Sequence, residues 1–397
     1  GQLRCLRRAP VRDRAADLFA AASGAALCAV IMHWGTGGNC SGTVFPTGKA
    51  APPARNVPAA AGALGSRTAC FLYTVRRYFL QTACSPLSLT CVYTIGKGSF
   101  CAPHRTNSTM YDTPKFGPGG NAENFYAEGM KHTWQAPAWL AAQGLDAYEY
   151  QCGNGVTGSY ETFAKIGREA RAHGILLSLH APYFISLSGV NPETRLKSIG
   201  YIKKSLEAAE AMGADTIVIH TGSAGKIPRE EAMRLAEDTL WKTLEEVGDT
   251  SVHLGLETMG KRNQLGTLEE VITLCSLDPR LYPVVDFGHL NARDGGHCFD
   301  HADDYRRVFD RIGEKLGAER AIHLHCHFSH IEYTDAGEKK HLTFADTVFG
   351  PEFGPLAEAI CIDRLAPRII CESAGTMAQD ALCMKKSWQN AADAACR

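Results

Sequence analysis

From residue 110 onward the chain alternates between two hydrophobic rhythms. Short runs of aliphatic and β-branched residues, bounded by Gly, Pro, Asn or Asp, read as strands, and stretches with apolar residues three and four apart read as amphipathic helices. The strand-like runs fall at 114–118, 147–151 (AYEYQ), 175–182 (ILLSLHAP), 216–222 (TIVIHTG), 253–258 (HLGLET), 282–289 (YPVVDFGH), 321–328 (AIHLHCHF) and 368–373 (RIICES). Helical segments separate them. One is ETFAKIGREARAH, closed by Gly174. Another is PETRLKSIGYIKKSLEAAEAM, where Pro192 suits a first helical turn because the N–H it lacks would be unpaired there anyway. Eight strand–helix alternations predict an α/β fold, a (β/α)8 TIM barrel, over 110–397, with a longer insertion at 329–350. The competing open doubly wound sheet usually carries a Gly-rich phosphate loop, and neither GxGxxG nor GxxxxGKS/T occurs.

Residues 1–109 lack this rhythm. Arg4, Arg7, Arg8, Arg12 and Arg14 precede an apolar run from Leu18 to Trp34, the order of charges found in a signal peptide or anchor. The run is rich in Ala and Gly, however, and the stretch beyond it (AAPPARNVPAAAGALG) has the composition of a linker. The segment begins with Gly and contains no Glu. We expect a low-order extension, non-native or unstructured, with a targeting segment or a small domain as the alternatives. The break in composition sharpens the boundary. This segment holds 12 of the 41 Lys+Arg but only two of the 42 acids, Asp13 and Asp17, so 110–397 carries 29 basic against 40 acidic residues, a net of -11. Seven of the 15 cysteines also lie in 1–109, and no CxxC pair occurs, which excludes zinc-ribbon and thioredoxin-like readings. The remaining thiols are expected to be buried in a reduced, cytoplasmic protein that does not engage a membrane.

The polar residues of the barrel strands are not scattered. His180, His220, Glu257, Asp286 with His289, His325 and Glu372 each follow an apolar run at its C-terminal end. In a (β/α)8 barrel those ends converge on one mouth. Carboxylates crowded there repel one another and are costly to desolvate, and divalent cations relieve both penalties. Imidazole and carboxylate suit zinc and related ions, and seven donors exceed the needs of one open catalytic zinc. The seventh run offers His323, His325 and His327 at period two. His325 is taken as the ligand, with His327 next.

These motifs are SLHAPYFISL, IVIHTGS, GLETMGKRNQLG, VVDFGHLNA, HCHFSHIEYTDAGEKKH and IICES. Their ordered series His, His, Glu, Asp-x-x-His, His, Glu resembles the endonuclease IV family of zinc-dependent AP endonucleases on the xylose-isomerase-like barrel. The resemblance implies two to three zinc ions. His180 and His220 would hold one, Glu257 would bridge it to a second completed by Asp286, His325 and Glu372, and His289 with His341 would hold a third. It further implies hydrolysis of double-stranded DNA 5′ to abasic sites, with Glu257 at the centre of catalysis and Tyr183 touching DNA. Lys261 and Arg262, on predicted mouth loops, are candidates to track phosphates. Two features depart from the family. Lys339 stands where an Asp-x-His pattern would place a ligand, leaving Glu338 as the substitute, and the body is acidic where DNA binders usually carry basic excess. A sugar isomerase or epimerase, which uses Glu, Asp, His and Glu around one divalent ion on the same barrel, is the alternative. A monomer is expected.

Overall fold

Eight short parallel strands wrap around one axis: β1 (Lys115–Pro118), β2 (Ala147–Gln151), β3 (Leu176–His180), β4 (Thr216–His220), β5 (His253–Glu257), β6 (Leu281–Asp286), β7 (His325–Phe328) and β8 (Arg368–Cys371). The computed structural model describes residues 111–395, together with the backbone of three strands nearer the N-terminus. Within the barrel unit the strands pair in the order β1-β8-β7-β6-β5-β4-β3-β2. The two end strands then meet. Asp146 N donates to Phe116 O at 2.9 Å, Gly120 N donates to Glu149 O at 2.9 Å, and Gly119 bridges Glu149. Gly117 permits this closure, because a Cβ there would stand 1.8 Å from the Ala147 carbonyl oxygen.

Helices on the outside connect the strands. Pro192–Met212 starts with its proline in the first turn and ends on Gly213, in the left-handed conformation that closes many helices. Tyr160–His173 ends the same way on Gly174. Apolar side chains from both layers, among them Phe116, Leu140, Ile166, Ile202, Leu240 and Phe287, form the core between strands and helices. Cys152, Cys275, Cys326 and Cys371 are buried, and burial pushes the Cys152 thiol up to about 12.

Three boundaries differ from the pattern reading. The seventh run starts late, because Ala318–Ile322 is a helix and His323 is its C-cap rather than a strand residue. The sixth strand stops at Asp286, and Phe287–Asp294 turns into a helix that carries His289. The insertion after β7 folds as an antiparallel hairpin of Ile331–Thr334 and Gly337–His341.

The N-terminal unit is separate. Its described backbone is an antiparallel sheet in which Leu27–Trp34, the end of the long apolar run, pairs with Cys40–Pro46 and Tyr73–Arg76. The rest of 1–110, on which the expectation of low order falls, lies outside the described residues. Among the described residues no helix is long and apolar enough to cross a membrane.

Candidate metal centre

The strand ends deliver the side chains to one mouth. His180, His220, Glu257 and Asp286 are the last residues of β3 to β6, and Glu372 follows β8 directly. Asp286 also starts the next helix. Its Oδ1 accepts from the backbone N of His289 at 2.7 Å, the bond of an N-cap to the third helical residue. One side chain therefore turns the chain and carries the histidine of Asp-x-x-His back over the mouth.

The donors form overlapping groups, each with ligand atoms within 4.8 Å of one another: His180–His220–Glu257, Glu257–Asp286–His327–Glu372, and His289–Glu338–His341. Glu257 joins the first two. Its Oε2 lies 3.4 Å from His180 Nε2 and 3.1 Å from His220 Nε2, while its Oε1 lies 3.1 Å from His327 Nδ1. Glu257 and Asp286 are fully buried, and Glu257 Oε2 and Asp286 Oδ2 have no hydrogen-bond partner. An unpartnered buried carboxylate oxygen is costly, and a cation is the partner that fits two of them facing imidazole nitrogens. The donor set, imidazole plus carboxylate, suits zinc.

The second nitrogen of each ring fixes the first. His180 Nδ1 meets the Ala181 carbonyl at 2.8 Å, and His289 Nδ1 meets the Thr258 carbonyl at 2.9 Å. A carbonyl only accepts, so Nδ1 carries the proton and Nε2 keeps its lone pair toward the groups above. His341 Nδ1 sits 2.8 Å from Ser329 Oγ, a hydroxyl that can either donate to it or accept from it. Charge shapes the cluster too. Burial raises the Glu257 carboxyl, but the imidazoles of His327, His180, His220 and His289 packed around it outweigh this and hold it well below the usual range.

On β7 the structure departs from the sequence choice. His325 and His327 both point inward, but at different depths. His327 is level with Asp286 in the β6–β7 register, whereas His325 is level with Val284, one pleat deeper. The residue that meets Glu257, Asp286 and Glu372 is therefore His327. His325 turns instead to Glu149, with Nε2 3.0 Å from Oε2. Glu149, fully buried on β2, was not singled out from the sequence. Its signal was a carboxylate in phase with the inward Ala147, in a strand with no other acid.

The hairpin turns Lys339 away from the cluster. Tyr333 pairs with Glu338 and Glu332 with Lys340, so Lys339 is the extra residue of a β-bulge. Without the bulge, Glu338 and His341 would sit on opposite faces. With it they share one, opposite Tyr333 and Ile331. Glu338 Oε2 thus comes within 3.5 Å of His289 Nε2, and Lys339 pairs outward with Glu332.

A cleft of about 340 Å³ opens above these groups, lined by Gln151, Tyr183, Met259, Lys261 and Gln264 together with His180, His220, His289 and His341. Tyr183 is 59% exposed on its rim, and its hydroxyl donates to Asn154. Arg262, expected at the mouth, is not among the lining residues. Its Nε donates to the Arg293 carbonyl, and it faces a larger outer cleft of about 1000 Å³ between helices.

The sequence pattern of the family described as Xylose isomerase-like TIM barrel matches residues 137–353, more than half of the chain. The chain belongs to that family. Among its relatives, an uncharacterized protein of Methanocaldococcus jannaschii is 29% identical over 215 residues, 54% of this chain and 77% of that protein. A "Probable endonuclease 4" of Acholeplasma laidlawii is 30% identical over 173 residues, 39% of this chain, and one of Shouchella clausii is 32% identical over 167, 40% of this chain. The chain spans 59% and 55% of the lengths of these two relatives. Two solved structures share the fold: a D-tagatose 3-epimerase-like protein (TM-score 0.54, 18% identity, 71% of this chain and 100% of that one) and endonuclease IV from Thermus thermophilus (TM-score 0.52, 19% identity, 70% and 99%). The same fold thus occurs in an endonuclease and in an epimerase-like protein.

Proposed function

We propose that this chain is a zinc-dependent phosphodiesterase of the endonuclease IV type, which hydrolyses duplex DNA 5′ to abasic sites. The observation that carries the reading is the surplus of donors. Glu257, Asp286, His327 and Glu372 alone make the Glu/Asp/His/Glu set that a one-metal sugar isomerase or epimerase needs. Here two further groups flank it, His180–His220 on one side and His289–Glu338–His341 on the other. A ketose needs no such array, whereas a phosphodiester dianion-like transition state spreads charge over several oxygens that separate cations can meet.

In this reading His180, His220 and Glu257 hold one ion, Glu257, Asp286, His327 and Glu372 a second, and His289, Glu338 and His341 a third. Bound zinc supplies Lewis-acid stabilisation of the phosphate and a water acidic enough to act as nucleophile near neutral pH. The chain does the positioning. Glu257 keeps its two oxygens turned to different groups, and the backbone carbonyls of Ala181 and Thr258 hold His180 and His289 in one tautomer. Tyr183 offers an aromatic face at the rim, where an unstacked nucleotide would rest, and Lys261 offers a cation for an adjacent phosphate. Recognition is local, because the body as a whole is acidic.

Metal-replete full chain is expected to contain two to three zinc ions and to nick a duplex carrying a single tetrahydrofuran abasic analogue on its 5′ side, leaving a 3′ hydroxyl on a sequencing gel. An intact duplex would retire the nuclease. One manganese or magnesium ion per chain, with ketose epimerisation, would favour the sugar-epimerase reading instead.

The bulge gives a second expected result. Glu338→Ala should lower zinc content by one ion per chain in elemental analysis. Lys339→Ala should leave it unchanged, because Lys339 faces away from the centre. Equal zinc content in wild type and Glu338→Ala would remove Glu338 from the ligand set.

A further inference from the structure

Below the ligand groups, inside the barrel, lies a second polar layer that reaches them only through His327. Its centre is Glu149. Oε2 accepts from Ser178 Oγ at 2.8 Å and meets His325 Nε2 at 3.0 Å, and Oε1 accepts from Gln151 Nε2 at 3.4 Å and lies 3.1 Å from His327 Nε2. Ser178, His325 and His327 are all buried, as is Glu149 itself.

These residues admit two readings. Glu149, His325 and His327 lie close enough to hold a cation of their own. The histidine decides against it. His327 has its Nδ1 among the ligand groups, 3.1 Å from Glu257 Oε1 and 3.5 Å from Glu372 Oε2. With Nδ1 given to a metal, a neutral imidazole must carry its proton on Nε2, which then donates and cannot ligate. That Nε2 is buried without a hydrogen bond, and Glu149 Oε1 lies 3.1 Å from it, an acceptor within reach of its proton. The Glu149 oxygens, meanwhile, already have Ser178 Oγ, Gln151 Nε2 and His325 Nε2 as hydrogen-bond partners.

We propose that Glu149 is a positioning residue for the metal centre: it takes the Nε2 proton of His327 in a hydrogen bond and so presents Nδ1 to the metal from below. Carboxylates behind metal-bound histidines fix the tautomer and raise the basicity of the ligand, and their loss commonly weakens metal binding ~10–100-fold. Ser178 and His325 hold the carboxylate in place, which also gives His325 a function distinct from ligation. The inference rests on the proposed metal centre, and it concerns binding rather than catalysis.

The test is zinc affinity of the full chain, measured by competition with a chromogenic chelator, for wild type, Glu149→Gln and Glu149→Ala, with far-UV circular dichroism and thermal unfolding of the metal-free proteins as controls. Glu149→Ala should bind one zinc ion ~10–100-fold more weakly. Glu149→Gln, which can still accept through its amide oxygen, should fall between Ala and wild type. If Glu149→Ala does not fold, the near-isosteric Gln variant carries the comparison alone. A purely structural role would lower the unfolding temperature and leave affinity untouched, and that result overturns the proposal. A wild type that takes up no zinc overturns the metal-centre reading and this inference with it. Zinc-binding wild type with equal affinity in Glu149→Gln and Glu149→Ala overturns this inference alone.

Discussion

Glu257→Gln is expected to reduce nicking of an abasic duplex by ~10³-fold or more while leaving the barrel folded. The substitution keeps the volume of a fully buried side chain, so core packing at the end of β5 is preserved. It exchanges a carboxylate with an oxygen toward each of two donor groups for an amide whose nitrogen has no lone pair to give a metal. Whichever way the amide turns, one group loses its shared ligand: either His180 and His220 face the NH2, or His327 and His289 do. The predicted signature is a loss in kcat with a smaller change in KM, together with reduced zinc content and an unchanged far-UV spectrum. Retained turnover at full zinc content would refute the bridging role of Glu257.

The second large effect lies at the opposite end of the barrel and concerns stability. Arg368, at the start of β8, points into the barrel floor. Its Nη1 donates to Asp215 Oδ1 at 2.7 Å and to the Leu177 carbonyl at 3.3 Å, and its Nη2 donates to Asp215 Oδ2. The Arg368 side chain is 5% exposed and that of Asp215 28%, so one partner is desolvated and the other keeps some water. Removing one member of a buried pair strands the other charge, at a cost of ~3–5 kcal/mol. The residual exposure of Asp215 places Arg368→Met at the lower end, ~3 kcal/mol, read as a shift in the urea midpoint at unchanged slope.

The pair also sets a pH dependence. Burial raises the Asp215 carboxyl, but the Arg368 guanidinium outweighs it and leaves the folded-state value below the ordinary 3.8. A carboxyl depressed by folding adds stability above its unfolded value and loses it as pH falls through the folded one. The gap between wild type and Arg368→Met should therefore be full near neutral pH and narrow below about pH 4. A gap that stayed constant on acidification would mean that packing, not charge, is what Arg368 contributes.

Much of this was legible in the sequence. Alternation of strand and helix rhythms is set by local periodicity, and eight such alternations leave few arrangements other than a closed barrel. Strand ends are local as well, because His180, His220, Glu257 and Asp286 each terminate an apolar run and need no knowledge of neighbours to be placed at the mouth. Asp286 and His289 were legible as donors at the end of the sixth run, but the helix that Asp286 caps and that carries His289 appeared only in the structure.

What the sequence could not decide depended on how separate strands lie against each other. His325 and His327 share a face, and only the register that sets His327 beside Asp286 chooses between them. Glu338 and His341 are an odd number of residues apart, which alternation assigns to opposite faces; the bulge at Lys339, a property of pairing with Ile331–Thr334, brings them to one. Arg262 follows Lys261 in the chain but turns away to the Arg293 carbonyl across a loop contact. Glu149 gained its place beneath His327 only when β2 and β7, distant in sequence, faced each other across the barrel. Periodicity fixes which face a residue takes on its own strand, while depth along the barrel axis and partners across it are set by interstrand register, which a single run of residues does not encode.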